Sequence, residues 1–494
     1  MAKDVIVVVQ RDALPKQKDS LDILLISTTG AYPVGEYRSI EDVQAVYGDE
    51  GPCPNSKIVR KATTLFNQGK TTLAETLVNK FKIVSFDPPK SVAATSATFS
   101  AAFPSEDMPA TLPTNTPLWV KFGGDDTAII PITTAKESNK WAYIASLLDG
   151  KSFTKNGVTY GVKANSAAVI CTSTLEGPVD TIPEIFNIYT DEQLTNELEF
   201  SCAVNFVNGS NSKSAADSFI DAIKQFQSDV DNDWYYFMTD KEEDEFVTAL
   251  AKFAEASEPT EVELQSGIED HRKFYMGQTS NKEFSCETAR AAVIYADAEN
   301  LNEEPDASYT GNVAPFYPES VTWKFKRPQN GNASSNDGAK LITLPPLREG
   351  ERNKLLDNHV NFLTEEYKRQ YVKDGTCLNG EYIDVVLGGD WIANRMRNLL
   401  YDILLTNANI NYDDAGFGLI GTAVLQALSE AVDYNIIAVD PETKSGVFSV
   451  IIPKYSDSTE EQRRNRIVPD ISWEALLSGA VHQVKAKGTL RATL

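Results

Sequence analysis

The chain has 494 residues, 42% of them hydrophobic, with 70 acidic against 46 basic residues and a net charge of −24. The length suits about three domains. The acidic balance argues against nucleic-acid binding, whose affinity comes from basic patches on phosphates. It suits solubility at high copy number or complementarity to a basic partner.

Taken in order, residues 1–20 read as an N-terminal arm. Val5, Val7 and Val9 lie in a short β-branched strand (VIVVV), and a charged, proline-containing tether follows it. Residues 21–27 (LDILLIS) predict a buried strand, followed by a glycine-rich turn, TTGAYPVGEY. Ser39 opens a helix in near capping-box form that stops at Gly48. A second helix is expected over 55–68 and a strand over 80–86, which makes 21–90 the first part of an α/β core.

Residues 91–190 change character, with Pro, Ser, Thr and Ala frequent at first. Strands are expected at 118–122, 128–132 and 167–174, with a hairpin over 152–162 turning at Asn156-Gly157. The segment reads as an inserted, mostly-β, outward-facing domain. From 191 to 345 the core resumes, with strands at 198–207, 234–238, 273–277, 291–295 and 321–325. Helices between them carry Phe219, Ile223 and Phe226, then Phe246, Leu250 and Phe253. Such alternation predicts an α/β sheet with both faces covered.

A C-terminal domain is expected over 346–480. It holds a polar helical region at 354–374, a strand at 382–387, helices at 390–405 and 418–431, and strands at 434–439 and 447–452. The end, 481–494, alternates with period 2. Val484, Ala486, Gly488, Leu490, Ala492 and Leu494 share one face, and Lys485, Lys487, Thr489, Arg491 and Thr493 the other. Two readings fit this strand: the last strand of its own domain, or an arm that completes a neighbour's sheet.

Motifs of chemistry are sparse. The segment Gly69-Lys70-Thr71 holds the core of a phosphate-binding loop, but Thr64 stands where its first glycine belongs and a helix precedes it. Asp229, Asp231 and Asp233 have the spacing of calcium-loop ligands, yet Trp234 replaces the required glycine. Cys53, Cys171, Cys202, Cys286 and Cys377 are scattered and form no metal pair or disulfide framework, so they read as reduced thiols. His271, His359 and His482 are equally scattered. No catalytic residue, cofactor or metal is expected. There is no apolar run of ~18 residues and no signal peptide, so membrane insertion is not expected and synthesis in a cytoplasm is. A basic cluster, Arg463, Arg464 and Arg466, stands out, with Arg395 and Arg397 upstream. It is either a solvated face or a contact with an acidic partner.

The order of features resembles contractile tail sheath proteins of bacteriophages and related injection machines. The resemblance is carried by LDILLISTTGAYPVGEYRSIEDVQAVYGDE, WYYFMTDKEEDEFVTALAKFAEA and RAAVIYADAENLNEEPDASYTGNVAPFYPESVTWKFK. Its strongest portion is GDWIANRMRNLLYDILLTNANINYDDAGFGLIGTAVLQAL with EEQRRNRIVPDISWEALLSGAVHQVKAKGTL, while 91–190 carries none of it. The resemblance implies an α/β (α+β) multidomain fold with a mixed-sheet core and strand-forming terminal arms. It also implies a non-enzymatic virion protein, assembled in the host cytoplasm as a helical homo-oligomer around a tail tube. Baseplate and tail terminator proteins would be further partners, with no nucleic acid bound. Val5, Val7, Val9, Val484, Ala486, Leu490 and Ala492 would join subunits, and Arg463, Arg464, Arg466, Arg395 and Arg397 are candidates for the tube contact. Two other classes stay open: a baseplate or surface protein binding a host glycan through Trp119, Trp141 or Tyr160, and a nucleotide-dependent enzyme.

Overall fold

The computed structural model describes residues 22–68, 78–103, 117–122, 129–132, 141–165, 167–179, 186–198, 203–259, 272–317, 319–333 and 340–483. The arm positions Val5, Val7, Val9, Val484, Ala486, Leu490 and Ala492 lie outside these residues, as does Gly69-Lys70-Thr71. The chain divides into two compact units, Lys90–Phe219 and the remainder.

The larger unit begins with β1 (Ile23–Ser27), β2 (Tyr32–Tyr37), α1 (Ile40–Tyr47), α2 (Ser56–Phe66) and β3 (Phe81–Ser85). Ser39 caps α1 by accepting Asp42 N–H at 3.2 Å, and Asn55 caps α2 by accepting the Lys57 and Ile58 N–H groups. The stretch expected as a glycine-rich turn is an edge strand instead. β2 pairs antiparallel with β3 through a register shift between Tyr32 and Gly35. That bulge lets a strand carry the proline and glycine that suggested a turn.

The smaller unit holds β4 (Ser96–Ala102), β5 (Leu118–Phe122), β6 (Ile129–Ile132), α3 (Trp141–Leu148), β7 (Ser152–Lys155), β8 (Val158–Ala164), β9 (Ala168–Glu176), β10 (Phe186–Tyr189) and β11 (Ala203–Val207). Among the described residues its sheets run β11-β4-β9-β8-β7 and β10-β5-β6. Asn156 and Gly157 both take positive φ, 48° and 81°, as a two-residue hairpin of this kind demands. The unit has its own core, where Phe122, Phe153 and Tyr160 stack at centroid spacings of 4.4 and 5.1 Å. It runs past the expected boundary at 190, because β11 pairs with β4 across about a hundred residues of chain rather than with the α/β sheet.

The two ends of this unit meet each other. Val92 and Lys213 exchange both backbone hydrogen bonds at 2.9 Å. Such pairs hold their Cα atoms about 5.5 Å apart. Replacing residues 92–213 by a linker of a few glycines and serines should therefore leave the larger unit folded, with a thermal midpoint within about 2 °C of the parent, a shift worth roughly 1–2 kcal/mol in a unit of this size. Aggregated or unfolded product would show that the two units depend on one core.

The larger unit resumes with α4 (Ala215–Asp229), β12 (Tyr236–Thr239), α5 (Asp244–Glu255), β13 (Phe274–Thr279), β14 (Ala291–Tyr295) and α6 (Pro305–Val313). Among the described residues its sheet runs β14-β13-β12-β1-β3-β2, and every pair is parallel except β2 with β3. Alternation along β1 divides the faces: Ile23 and Leu25 join a core that includes Val43, Ile58, Leu65 and Tyr309. On β12, Phe237 meets Phe253 of α5 at 5.7 Å while its neighbour Tyr236 faces the first core. The strand expected at 321–325 does not form. Trp323 turns inward against Tyr309 at 5.0 Å, Tyr309 donates to its carbonyl at 2.9 Å, and Phe325 takes φ of 63°.

Next come α7 (Glu349–Asp357), β15 (Phe362–Glu366), β16 (Arg369–Lys373), α8 (Ile383–Thr406), α9 (Asp414–Asp433), β17 (Phe448–Ile451), α10 (Glu460–Asn465) and β18 (Ser472–Ala475). Three expectations fail here. The polar region 354–374 becomes a hairpin after residue 361, because Phe362, Leu363 and Val372 supply buried strand positions and Tyr367-Lys368 turns at φ of 50° and 62°. The strand expected at 382–387 is the first turn of α8, and 434–439 forms only isolated bridges rather than a strand. One helix also exceeds the expected apolar length: α9 is 20 residues, an 18-residue stretch of it has mean hydropathy 1.4, and its Phe417, Val424 and Leu428 are buried. Such a face is that of a core helix packed on a partner. The chain is thus an α+β protein of several sheets.

Candidate assembly surface

Helix α8 is bolted to the end of the α/β sheet by one carboxylate. Asp390 accepts from Tyr235 Oη at 2.5 Å and from Arg272 Nη1 at 2.9 Å, and both guanidinium nitrogens of Arg290 reach it as well. Arg290 is 1% exposed and also donates through Nε to Lys273 O at 3.1 Å. Burial opposes its charge, yet Asp390 lifts its pKa above the ordinary arginine value. A bidentate, buried pair of this kind fixes direction as well as distance.

From that anchor α8 runs antiparallel to α9. Trp391, Ile392, Val424, Leu428 and Ala431 form the seam, with Leu399, Ala423 and Ala427 beyond them. Asp413 caps α9 by accepting Gly416 N–H at 2.8 Å. A Cβ on Gly421 would lie 2.3 Å from Ile452 Cδ1, so glycine lets the β17 end approach the helix. Across the seam Arg395 grips Glu430 with two bonds, Nε to Oε2 at 2.5 Å and Nη2 to Oε1 at 2.9 Å. The Arg395 bond holds the Glu430 carboxyl below its usual range. Arg395 is therefore committed to the helix pair, and Arg397 stands half-buried on the same helix.

The arginine cluster is brought together as the sequence suggests. Arg463 and Arg464 lie on α10, and Arg466 ends it in a left-handed conformation at φ of 56°. All three are exposed. The short helix is secured by a capping box: Gln462 N–H donates to Thr459 Oγ1 at 3.1 Å, and Thr459 N–H to Gln462 Oε1 at 2.9 Å. The Arg463 guanidinium lies over the Tyr455 ring at 5.2 Å, while Tyr412 Oη donates to Ile467 O at 2.7 Å.

Strands β17 and β18 complete the region as an antiparallel ribbon, with Phe448 opposite Ala475 and Val450 opposite Trp473. Among the described residues no third strand pairs with either. Phe448, Val450 and Ala475 lean on the helix pair. Large apolar side chains remain in the open around them: Ile451 is 68% exposed, Leu476 58% and Trp473 39%. Leu404 and Leu405 at the end of α8 are exposed too. A ribbon of two strands is marginal alone and presents unpaired backbone edges, and clustered exposed apolar groups mark interaction surfaces.

The remaining sequence candidates find ordinary places. Asp231 binds Lys82 Nζ at 2.7 Å and Asp233 stands 3.8 Å from it, so these carboxylates serve an ion pair. Trp141 and Tyr160 are buried in the smaller unit, and Trp119 is half-buried. Sequence reasoning missed the Asp390 anchor and the Arg395–Glu430 clamp, because each joins residues remote in sequence and no local pattern marks them.

No family model matches the chain, and no curated protein does. Solved structures similar to it include the following two. The sheath tail protein from Desulfitobacterium hafniense matches at 12% identity over 90% of this chain and 93% of its own, with a TM-score of 0.42. The baseplate of the anti-feeding prophage (AFP), solved by cryo-EM, matches at 14% identity over 57% of this chain and 76% of its own, also with a TM-score of 0.42.

Proposed function

We propose that the chain is a structural subunit of a contractile tail sheath, polymerising helically around a tail tube and shortening to drive that tube through a host envelope. What supports the reading most is the open β17–β18 ribbon with Ile451, Trp473 and Leu476 exposed beside it. It is the kind of surface that accepts strands from other copies, and the sequence supplies candidates at both ends of the chain. In this reading Val5, Val7 and Val9 and the face of Val484, Ala486, Leu490 and Ala492 are the linking strands. Hydrogen-bonded strands hold the lattice while the compact units rotate and repack. The partners are further copies of the chain, the tube protein, and baseplate and terminator proteins. The particle is a virion tail assembled in the host cytoplasm, and the chain itself catalyses nothing.

The exposed arginines of α10 are the candidate tube contact. Reversing the charge at Arg463, Arg464 and Arg466 together should weaken attachment to the tube more than self-assembly. Exposed ion pairs are each worth only ~0.2–1 kcal/mol, but they recur in every subunit along the tail. Co-sedimentation with purified tubes, alongside imaging without them, separates the two properties. Equal loss of both, or of neither, would remove these residues from the tube face.

A further inference from the structure

Among residues 479–483, the last described, His482 is the one that is not exposed. Ser478 N–H donates to Ile436 O at 2.9 Å, closing the ladder beside the ribbon. Beyond it Val481 is 71% exposed and Gln483 is exposed, yet His482 between them is half-buried. That inverts the usual order, in which valine is buried and polar residues face water.

The seat of His482 is built from three places in the chain. Its Nε2 lies 2.9 Å from Thr322 Oγ1. Its ring meets Tyr382 edge-on at 4.5 Å and Phe325 at 6.4 Å. Tyr382 is the N-cap of α8, and Phe325 N–H is held by Val372 O of β16 at 3.1 Å. Thr322 Oγ1 accepts Lys324 N–H at 3.2 Å, and in the tautomer whose Nε2 is the acceptor it donates its own proton to the imidazole.

We propose that His482 is a clasp that pins the root of the C-terminal segment to this seat, and that protonation releases it. The role assigned to the released segment rests on the sheath reading above. Protonating Nε2 removes the acceptor that Thr322 uses and places a cation between aromatic rings. The charged groups around the seat are Lys324, Lys326, Asp374 and Asp384, together with the Tyr382 phenol. Burial and Lys324 hold the His482 pKa below its ordinary value, against the opposing pull of Asp384 and Asp374. The docked state then binds fewer protons than the released state. Docking is at full strength above the free imidazole's pKa, about 6.5, and weakens as pH falls from there through the docked value.

Hydrogen exchange of residues 476–483 in the dilute, unassembled full chain tests this at about pH 7.5 and about pH 5.5, either side of the histidine range. After correction for intrinsic rates, protection should fall by about twofold or more on acidification, in the direction set by a docked imidazole that titrates below the free one. His482→Phe keeps the ring contacts without the proton, so its protection should be the same at both values. Thr322→Val should lose protection at the higher pH. The proposal is overturned if wild-type protection does not change, or if His482→Phe shows the same fall, which would assign it to other groups. Imaging the same samples at high concentration keeps the two claims apart. A clasp that opens without tubes at either pH refutes the sheath reading alone; tubes with unchanged protection refute the clasp alone.

Discussion

Replacing Lys61 by alanine should destabilise the larger unit by about 3–5 kcal/mol, the usual result of removing one partner from a buried ion pair. Lys61 is wholly buried on α2. Its ammonium lies 2.6 and 2.5 Å from the two Asp306 oxygens and 3.2 Å from Glu304 Oε2. Glu304 is itself fully buried, takes φ of 53°, and keeps Arg60 at 3.0 Å. Without the lysine, Asp306 keeps among the described residues a backbone bond, its Oδ1 accepting Ala307 N–H at 2.7 Å. Burial disfavours the lysine's charge, but Asp306 and Glu304 outweigh it and raise its pKa; burial raises that of Glu304.

The sign of the pH dependence follows. A buried carboxylate that has lost its cation titrates higher in the folded state than in the unfolded one. Its penalty is full at neutral pH and disappears as the pH falls below about 4, where both states become protonated. The gap between wild type and Lys61→Ala should therefore narrow on acidification. Denaturant midpoints followed by fluorescence measure it. A gap below about 0.5 kcal/mol at neutral pH, the scale of ordinary surface substitutions, would show that the cluster is solvated.

Removing residues 484–494 should abolish ordered assembly and leave soluble, folded subunits. The apolar face of Val484, Ala486, Leu490, Ala492 and Leu494 consists mostly of small and medium side chains, too thin to centre a core. Its backbone and alternation suit the addition of a strand to a ribbon such as β17–β18, whose edges no other described strand covers. Leu490→Asp should act like the truncation, since it sets a charge on the face to be buried. Leu490→Val should assemble, because it keeps that face apolar and favours a strand. Circular dichroism with electron microscopy decides between the readings of this segment. Truncated protein that unfolds would place the strand in its own domain's core; truncated protein that still builds regular tubes would deny it a linking role.

Local signals were legible where the physics is local. The Ser39 cap, the Asn156-Gly157 hairpin and the apolar run of β1 depend on neighbours a few residues away, and all appear as expected. The errors fall where distant partners decide. Residues 321–325 alternate like a strand, but Trp323 is drawn into the core by Tyr309 and Tyr236. Residues 382–387 look β-prone, yet the turn that follows the β16 hairpin leads straight into α8. The sequence of β11 reads as a strand of the α/β sheet because nothing in it reveals that β4 is its partner. The same holds for the assembly surface. The arginine cluster is contiguous and could be read directly, whereas the Arg395–Glu430 clamp and the open ribbon emerge only from packing.

The central claim is that this chain assembles with itself through interfaces that propagate instead of closing. Head-to-tail contacts of that kind generate helical filaments. Negative-stain electron microscopy of the purified full-length protein, over a range of concentration and salt, tests it most directly. The account predicts hollow tubes with a regular helical repeat. A monodisperse monomer under every condition would contradict it.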